Sequence, residues 1–316
     1  MGKPLAELAQ HARAELGKVI VGQEAPLETL FLTLVCGGHV LLEGVPGLGK
    51  TLAVRTLART LGVRFRRVQG TPDLMPADIT GSSVLDMATS QFRVHEGPVF
   101  TDLLLADEIN RMPPRTQAAL LESMQERQVT IDGVARSLSP LFTVVATQNP
   151  VEFEGTYPLP EAELDRFTVK LKMDYPAAAE EEAILARHQQ PETAAPAPDP
   201  AAAPIAAAEI VAARDEASAV RVDAALLTYV AAIVRRTREW PAVALGASPR
   251  AAIHLMQIAK AVAALEGRDF LLPDDVKRIA APVLRHRLVM RAEADLEGMT
   301  SDQVIGDVLA AVPVPK

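Results

Sequence analysis

Gly44-Val45-Pro46-Gly47-Leu48-Gly49-Lys50-Thr51 fits the pattern G-x-x-x-x-G-K-S/T at every fixed position. The stretch before it, His39-Val40-Leu41-Leu42-Glu43, is apolar enough for a buried strand. The stretch after it, Thr51 to Leu61, places Val54, Leu57, Ala58 and Leu61 on one helical face, and Gly62 supplies a stop. Strand, glycine loop and helix form the context in which this pattern carries meaning. The glycines let backbone N–H groups curl around a phosphate, and the helix N-terminus adds the positive end of its dipole. Lys50 is placed to reach the β- and γ-phosphates of a nucleotide, and the Thr51 hydroxyl to bind Mg²⁺. A chance glycine turn is a poor alternative when strand and helix flank the motif correctly.

Around this loop the chain has 316 residues, room for about two domains. Hydrophobic residues make up 49% and charged residues 23%, ordinary for a globular protein. Its formal charge of -8, from 32 basic and 40 acidic residues, weighs against broad nucleic-acid binding. A single cysteine, Cys36, excludes an internal disulfide and a cysteine-rich zinc site, and the six histidines show no metal-ligand spacing. No signal-peptide pattern opens the sequence, and no stretch reaches the ~18 apolar residues of a membrane span. The expected compartment is therefore the cytoplasm, with membrane contact at most peripheral.

Ahead of the loop, Leu5, Leu8, Ala12 and Leu16 fit a short helix. Val19-Ile20-Val21-Gly22-Gln23 follows, then an apolar helix through Val35. An apolar segment in this place either packs on an adenine ring or is plain core. Beyond the loop, Val63 to Val68 reads as a strand and Gly81 to Pro98 as a hairpin or small insert. Leu103-Leu104-Leu105-Ala106-Asp107-Glu108 reads as a buried strand delivering two carboxylates to its C-terminal edge, where α/β sheets bind ligands. Asp107 would hold Mg²⁺ through water, and Glu108 would polarise an attacking water. Pro113 and Pro114 open a helix. Asp132-Gly133 between short apolar segments signals a hairpin over 128–139. Phe142 to Asn149 is a strand with a polar end; Asn149 either orients the water or is a turn residue before Pro150. Arg166 stands at the start of a further strand, Phe167 to Met173, where a lone arginine is ordinarily a surface charge.

Composition then shifts. Residues 191–208 are dominated by alanine and proline and read as a mobile linker. An all-helical remainder follows. Leu226, Val230 and Ile233 share one face, as do Leu255, Ile258, Val262 and Leu265. Pro273-Asp274-Asp275 starts a helix that Pro282 is expected to kink or end. Ser248-Pro249-Arg250 starts the middle helix. A cation in a first helical turn is mildly unfavourable, so Arg250 is either placed for a ligand or exposed to solvent, where its position costs almost nothing. The expected division is an α/β nucleotide-binding core at 1–176, a linker region at 177–220 and a helical lid at 221–316.

The order of phosphate loop, Asp-Glu strand, polar strand end, arginine and helical region resembles an AAA+ ATPase. The finer resemblance is to the MoxR family and covers nearly the whole chain. It is carried by Val19 to Gln23, Thr71-Pro72-Asp73-Leu74 with Asp78-Ile79-Thr80-Gly81, and the run from Leu103 to Thr130. Thr147-Gln148-Asn149-Pro150, Leu159 to Phe167 and Gly246 to Ala251 add to it. The resemblance implies a P-loop core with a parallel sheet flanked by helices, followed by a small all-helical lid. It implies that ATP is held by Gly44 through Thr51, Leu52, Gly22 and Gln23, with Mg²⁺ at Thr51 and Asp107. It assigns Glu108 to water activation, Asn149 to the first sensor, Arg166 to an arginine finger reaching a neighbouring subunit, and Arg250 to the second sensor. The 81–98 and 128–139 loops match elements that face a client or a central pore. Gly70 stands where an aromatic residue is common, which implies looser packing beside the 81–98 insert.

The activity so implied is ATP hydrolysis driving assembly, maturation or cofactor insertion in a client enzyme or complex. A homo-oligomeric ring, most often a hexamer, and a partner with a von Willebrand factor A domain come with the resemblance. A magnesium-chelatase-like motor and a nucleotide-dependent switch with little turnover are the alternatives.

Overall fold

The computed structural model describes residues 4–87, 90–150, 155–188 and 204–315. Eleven strands and thirteen α-helices alternate among the described residues. The strands are β1 (Val40–Gly44), β2 (Phe65–Gln69), β3 (Gly81–Asp86), β4 (Gln91–Glu96), β5 (Leu103–Asp107), β6 (Gln128–Ile131), β7 (Val134–Ser137), β8 (Thr143–Gln148), β9 (Val169–Met173), β10 (Val243–Leu245) and β11 (Val289–Met290). Helices up to the end of the sheet are α1 (Leu5–Val19), α2 (Glu24–Val35), α3 (Lys50–Thr60), α4 (Pro76–Thr80), α5 (Pro114–Glu126) and α6 (Glu161–Leu164). Those after it are α7 (Ala178–His188), α8 (Ala207–Ala219), α9 (Ala224–Arg238), α10 (Pro249–Leu265), α11 (Pro273–Leu284), α12 (Ala292–Leu296) and α13 (Ser301–Ala311).

Five strands form one parallel sheet in the order β2-β5-β8-β1-β9. Their side chains divide between two cores, as the period of two requires. Val40, Leu42, Leu103, Leu105, Val145, Val169 and Leu171 face one layer with α1, α2 and α3. Leu41, Leu104, Ala106, Val144 and Ala146 face the other, against Leu120, Leu121 and Met124 of α5. Because all five strands run the same way, the loops after β1, β2, β5 and β8 gather at one edge. The entries to β1 and β9 lie at the opposite edge.

Both expected hairpins form. β3 pairs antiparallel with β4, leaving Val84, Leu85 and Phe92 exposed. β6 pairs with β7 around Asp132-Gly133, both at positive φ as a tight hairpin turn demands. The helical region shares a continuous core with the first sheet face: Leu255, Ile258, Ile279 and Val283 join the α1–α3 layer. It also holds one short antiparallel pair, β10–β11. Pro282 lies inside α11, which runs on to Leu284 instead of breaking there. So near the C-terminal end, its missing N–H removes a single intrahelical bond. The 177–220 stretch carries α7 and α8, and α8 buries Ile210, Ala213 and Ala217. Of the alanine- and proline-rich segment 191–208, residues 191–203 lie outside the described residues. No helix of the described residues is long and apolar enough to cross a membrane.

Candidate nucleotide site

The phosphate loop leaves β1 at Gly44 and enters α3 at Lys50. Gly47 and Gly49 adopt φ of 89° and 75°, where a Cβ is strained. At Gly44 the reason for glycine is different: a Cβ would stand 2.7 Å from the Met173 carbonyl oxygen. Lys50 Nζ donates to the carbonyls of Gly44 and, at 3.1 Å, Val45, so the ammonium lies across the mouth of the loop. Thr51 and Leu52 occupy the first turn of α3, Leu52 exposed and Thr51 half-buried. α3 is anchored by Ala53, Val54, Leu57 and Ala58, all buried.

At the end of β5, Asp107 is held from three sides. Thr147 Oγ1 donates to Oδ1 at 2.5 Å. Thr51 Oγ1 donates to Oδ2 at 3.1 Å, and Arg67 Nε and Nη2 reach the same oxygen at 3.0 and 2.7 Å. Burial pushes the Asp107 carboxyl up, but hydrogen bonds from Thr147, Arg67 and Thr51 outweigh it and hold the group below the usual carboxylate range. Thr51 and Asp107 thus converge as hard oxygen donors, a set that fits Mg²⁺. Among the described residues no group of three His, Cys, Asp or Glu side chains forms a metal cage. A metal here would complete its shell with oxygens from outside the chain, water among them.

Glu108 follows at φ 57°, ψ 53°, a left-handed conformation uncommon outside glycine. Its amide donates to Thr147 Oγ1 at 2.9 Å, and its carboxylate lies 3.4 Å from Arg111 Nη1. Gly70 packs directly beneath: its amide donates to Asp107 O at 2.7 Å, and a Cβ there would stand 2.2 Å from Glu108 O. This corrects the expectation of looser packing at Gly70. No side chain fits between β2 and the Asp107-Glu108 turn, so the position is closed rather than open.

Gly22 and Gln23 both have positive φ between α1 and α2. Gln23 Nε2 donates to Asp174 O at 2.7 Å, and Glu180 of α7 closes on Gly22. Ile20, Val21 and Gly22 line a cavity of about 220 Å³ with Leu16, Leu27 and Phe31. A Cβ built on Gly49 would stand 3.5 Å from Ile20 Cδ1, so Ile20 links the phosphate loop to this cavity, whose lining also includes Arg13, Glu24 and Glu28. Asn149, buried at the end of β8, lines a cavity of about 420 Å³ with Asn110, Gln148 and the lid residues Leu288 and Val289.

Arg166 and Arg250 lie elsewhere. Together with Gly37, Gly38, His39, Thr168 and His254 they line one cavity of about 240 Å³. Its floor is the entry to β1 and β9, whereas the phosphate loop is the exit of β1. Five strand residues at ~3.3 Å each put roughly 16 Å of β1 between them. β1 lies between the two arginines and the loop of their own chain.

Phosphate loop, Asp107, Glu108 and Asn149 were legible as motifs. Sequence reasoning misses Thr147 and Arg67, and also Asp165, which accepts from Ser248 Oγ at 3.0 Å and from Arg287 Nε at 2.7 Å. Their roles arise only when distant strands and the lid meet.

Residues 39–169 match the family described as ATPase family associated with various cellular activities, and residues 235–308 match the AAA lid domain. Chaperone MoxR1 of Mycobacterium tuberculosis is 41% identical over 97% of this chain and 82% of its own length. Protein MoxR of Paracoccus denitrificans is 33% identical over 96% of this chain and 95% of its own. A crystal structure of a Cytophaga hutchinsonii protein superposes with a TM-score of 0.89 at 40% identity, covering 99% of this chain and 96% of that one.

Proposed function

The chain belongs to the MoxR family of AAA+ ATPases, and from that premise we propose a Mg²⁺-dependent ATPase that works as a ring and remodels client proteins. Lys50, the loop amides and the N-terminus of α3 bind and neutralise the phosphates, and Ile20 to Gln23 receive the adenine. Thr51 and Asp107 would hold Mg²⁺, which when bound neutralises charge on the β- and γ-phosphates. Glu108 and Asn149 hold the attacking water in line. Catalysis of this kind is positioning and electrostatics, with no covalent step for the protein to perform.

The observation that carries the ring is the shared cavity of Arg166 and Arg250 at the edge of the sheet away from the phosphate loop. Two half-exposed arginines there serve a phosphate only if it belongs to a neighbour. Each subunit then lacks part of its own catalytic set, and turnover requires assembly. Client remodelling is supported by the relative named as a chaperone. A hexamer, a cytoplasmic setting and a partner with a von Willebrand factor A domain complete the proposal.

Mixing tests it. Arg166→Ala or Arg250→Ala subunits, each inactive alone, are combined with Lys50→Ala subunits, which cannot bind ATP but carry intact arginines. Activity well above the sum of the separate proteins is expected. No recovery at any ratio means that the arginines serve their own subunit, and the reading fails. Clients are sought by capture on Glu108→Gln with ATP, against the same capture without it.

A further inference from the structure

Arg287 follows α11 and its side chain is 1% exposed. Its guanidinium binds the chain on both sides of Arg166. Nε donates to Asp165 Oδ1 at 2.7 Å. Nη2 donates to Asp165 O at 3.1 Å and Phe167 O at 2.6 Å, and Nη1 to Thr168 O at 3.1 Å. The neighbouring His286 donates from Nε2 to the same Phe167 carbonyl at 3.0 Å. Four bonds from one planar fork therefore fix residues 165, 167 and 168, leaving the Arg166 side chain to project into its cavity.

Arg250 is tied to the same anchor. Ser248, which caps α10 through Ala251 N, donates its hydroxyl to both Asp165 oxygens at 3.0 and 3.1 Å. Arg250 Nε stands 4.0 Å from Asp165 Oδ2. One turn further along α10, His254 Nδ1 accepts from Arg287 Nη2 at 2.7 Å. That ring can accept because burial first, and then the Arg287 charge, push its pKa down to about 3, leaving it neutral. Asp165 thus has the loop of Arg166 on its own backbone, the helix of Arg250 on its carboxylate, and Arg287 across both.

A buried charge of this kind is costly to install, and an apolar residue would fill the space more cheaply. What an apolar residue cannot do is fix three carbonyls and a carboxylate in one geometry. We infer that Arg287 is a positioning residue for ATP hydrolysis in the neighbouring subunit: it locks the Arg166 loop and the Arg250 helix into one rigid unit presented to that neighbour's phosphate. This rests on the reading of both arginines as donated across an interface. A second consequence follows. Because Arg287 and Ser248 belong to the lid and Arg166 to the core, movement of the finger at the neighbour's phosphate moves the lid of the donating subunit with it.

The test uses the full chain at concentrations where it assembles. Arg287→Lys keeps the charge but loses the planar fork. Turnover should fall about 10–100-fold, the scale on which an ångström of misplacement is felt. Binding of a fluorescent ATP analogue to the variant's own site, and ring assembly by sedimentation, should stay as in wild type. Mixed with Lys50→Ala subunits, Arg287→Lys should regain activity, because the fault lies in what it donates. The double variant Arg166→Ala/Arg287→Lys should lose less than the product of the two single losses, since Arg287 acts through Arg166 as well as through the Arg250 helix. Wild-type turnover in Arg287→Lys, or a double variant slowed by the full product of the two effects, overturns the inference. If Arg287→Lys does not fold, Ser248→Ala carries the same mixing and double-variant comparisons. Full activity in Arg166→Ala would instead remove the trans-arginine reading itself, a separate result.

Discussion

The Thr147 hydroxyl donates to Asp107 Oδ1 at 2.5 Å while accepting the Glu108 amide at 2.9 Å. One buried side chain on β8 therefore holds the Asp107 carboxylate and the Glu108 backbone together. Thr147→Val keeps the shape and removes the oxygen. It leaves a backbone N–H and a carboxylate oxygen without this partner, a cost of about 1–3 kcal/mol. Turnover should drop about 10–100-fold at saturating ATP, as a barrier rises by a similar amount. Nucleotide affinity, which rests on the phosphate loop, should change little. Steady-state ATPase and equilibrium binding on the same preparation separate the two, and unchanged turnover would show that Asp107 and Glu108 hold position without the hydroxyl.

Gly70→Ala tests the same corner from the other side. The added methyl would stand 2.2 Å from Glu108 O and 3.0 Å from Asp107 O, both backbone atoms that cannot swing away. Strand β2 must shift or the Asp107-Glu108 turn must open. Stability should fall by about 1–3 kcal/mol, as for other overpacked sites. Turnover should fall more than that loss of folded protein explains. Urea unfolding together with ATPase at a temperature where the variant is fully folded decides it; wild-type values in both assays sink the claim.

What could be read without coordinates follows from how local each signal is. The phosphate loop, the Asp107-Glu108 strand end and the Asp132-Gly133 turn are set by residues adjacent in sequence, so pattern alone sufficed. Thr147 looked like one more β-branched strand residue, because its meaning depends on β8 lying beside β5 in parallel register. Arg67 looked like one of three arginines around an exposed strand, and only pairing of β2 with β5 turns it towards Asp107. Gly70 pointed the wrong way, since a missing side chain signals open space as readily as a closed one. Arg287 sits 122 residues from Asp165, beyond any spacing rule. Periodicity marks the lid helices but gives no sign that the N-terminal end of α10 and the segment after α11 converge on the Arg166 loop.

Acid should unfold the protein early. His39 is held neutral chiefly by burial, then by the nearby Arg127 charge, with its pKa pushed down to about 4. His254 falls to about 3, and His286 falls well below its ordinary value, burial leading in both. The unfolded chain therefore binds more protons than the folded one once pH drops below ~6.5. Stability from these groups is complete above that value and is lost as pH falls towards 4. Each histidine adds a slope of about 1.4 kcal/mol per pH unit within its window. Urea midpoints at pH 7.5, 6 and 5 should decline steeply, and His39→Gln should flatten the decline. A midpoint that does not move between pH 7.5 and 5 would rule out neutral burial.

Arg67 and Thr51 share Asp107 Oδ2, one of the oxygens that would hold a metal. A Mg²⁺ ion taking that oxygen would compete with the guanidinium, which would have to turn aside. Its side chain is 47% exposed, so the pairing is screened and worth no more than about 1 kcal/mol. Arg67→Met keeps the aliphatic length and removes the competitor. The Mg²⁺ concentration that half-saturates nucleotide binding should fall about 2–5-fold, the factor that corresponds to such an energy. The opposite result is equally informative. If more Mg²⁺ is needed, Arg67 serves to orient Asp107 for the metal rather than to contest it. Fluorescent-nucleotide binding titrated with Mg²⁺ reads this directly, with no need for turnover, so a variant slowed for any other reason still gives a clear answer.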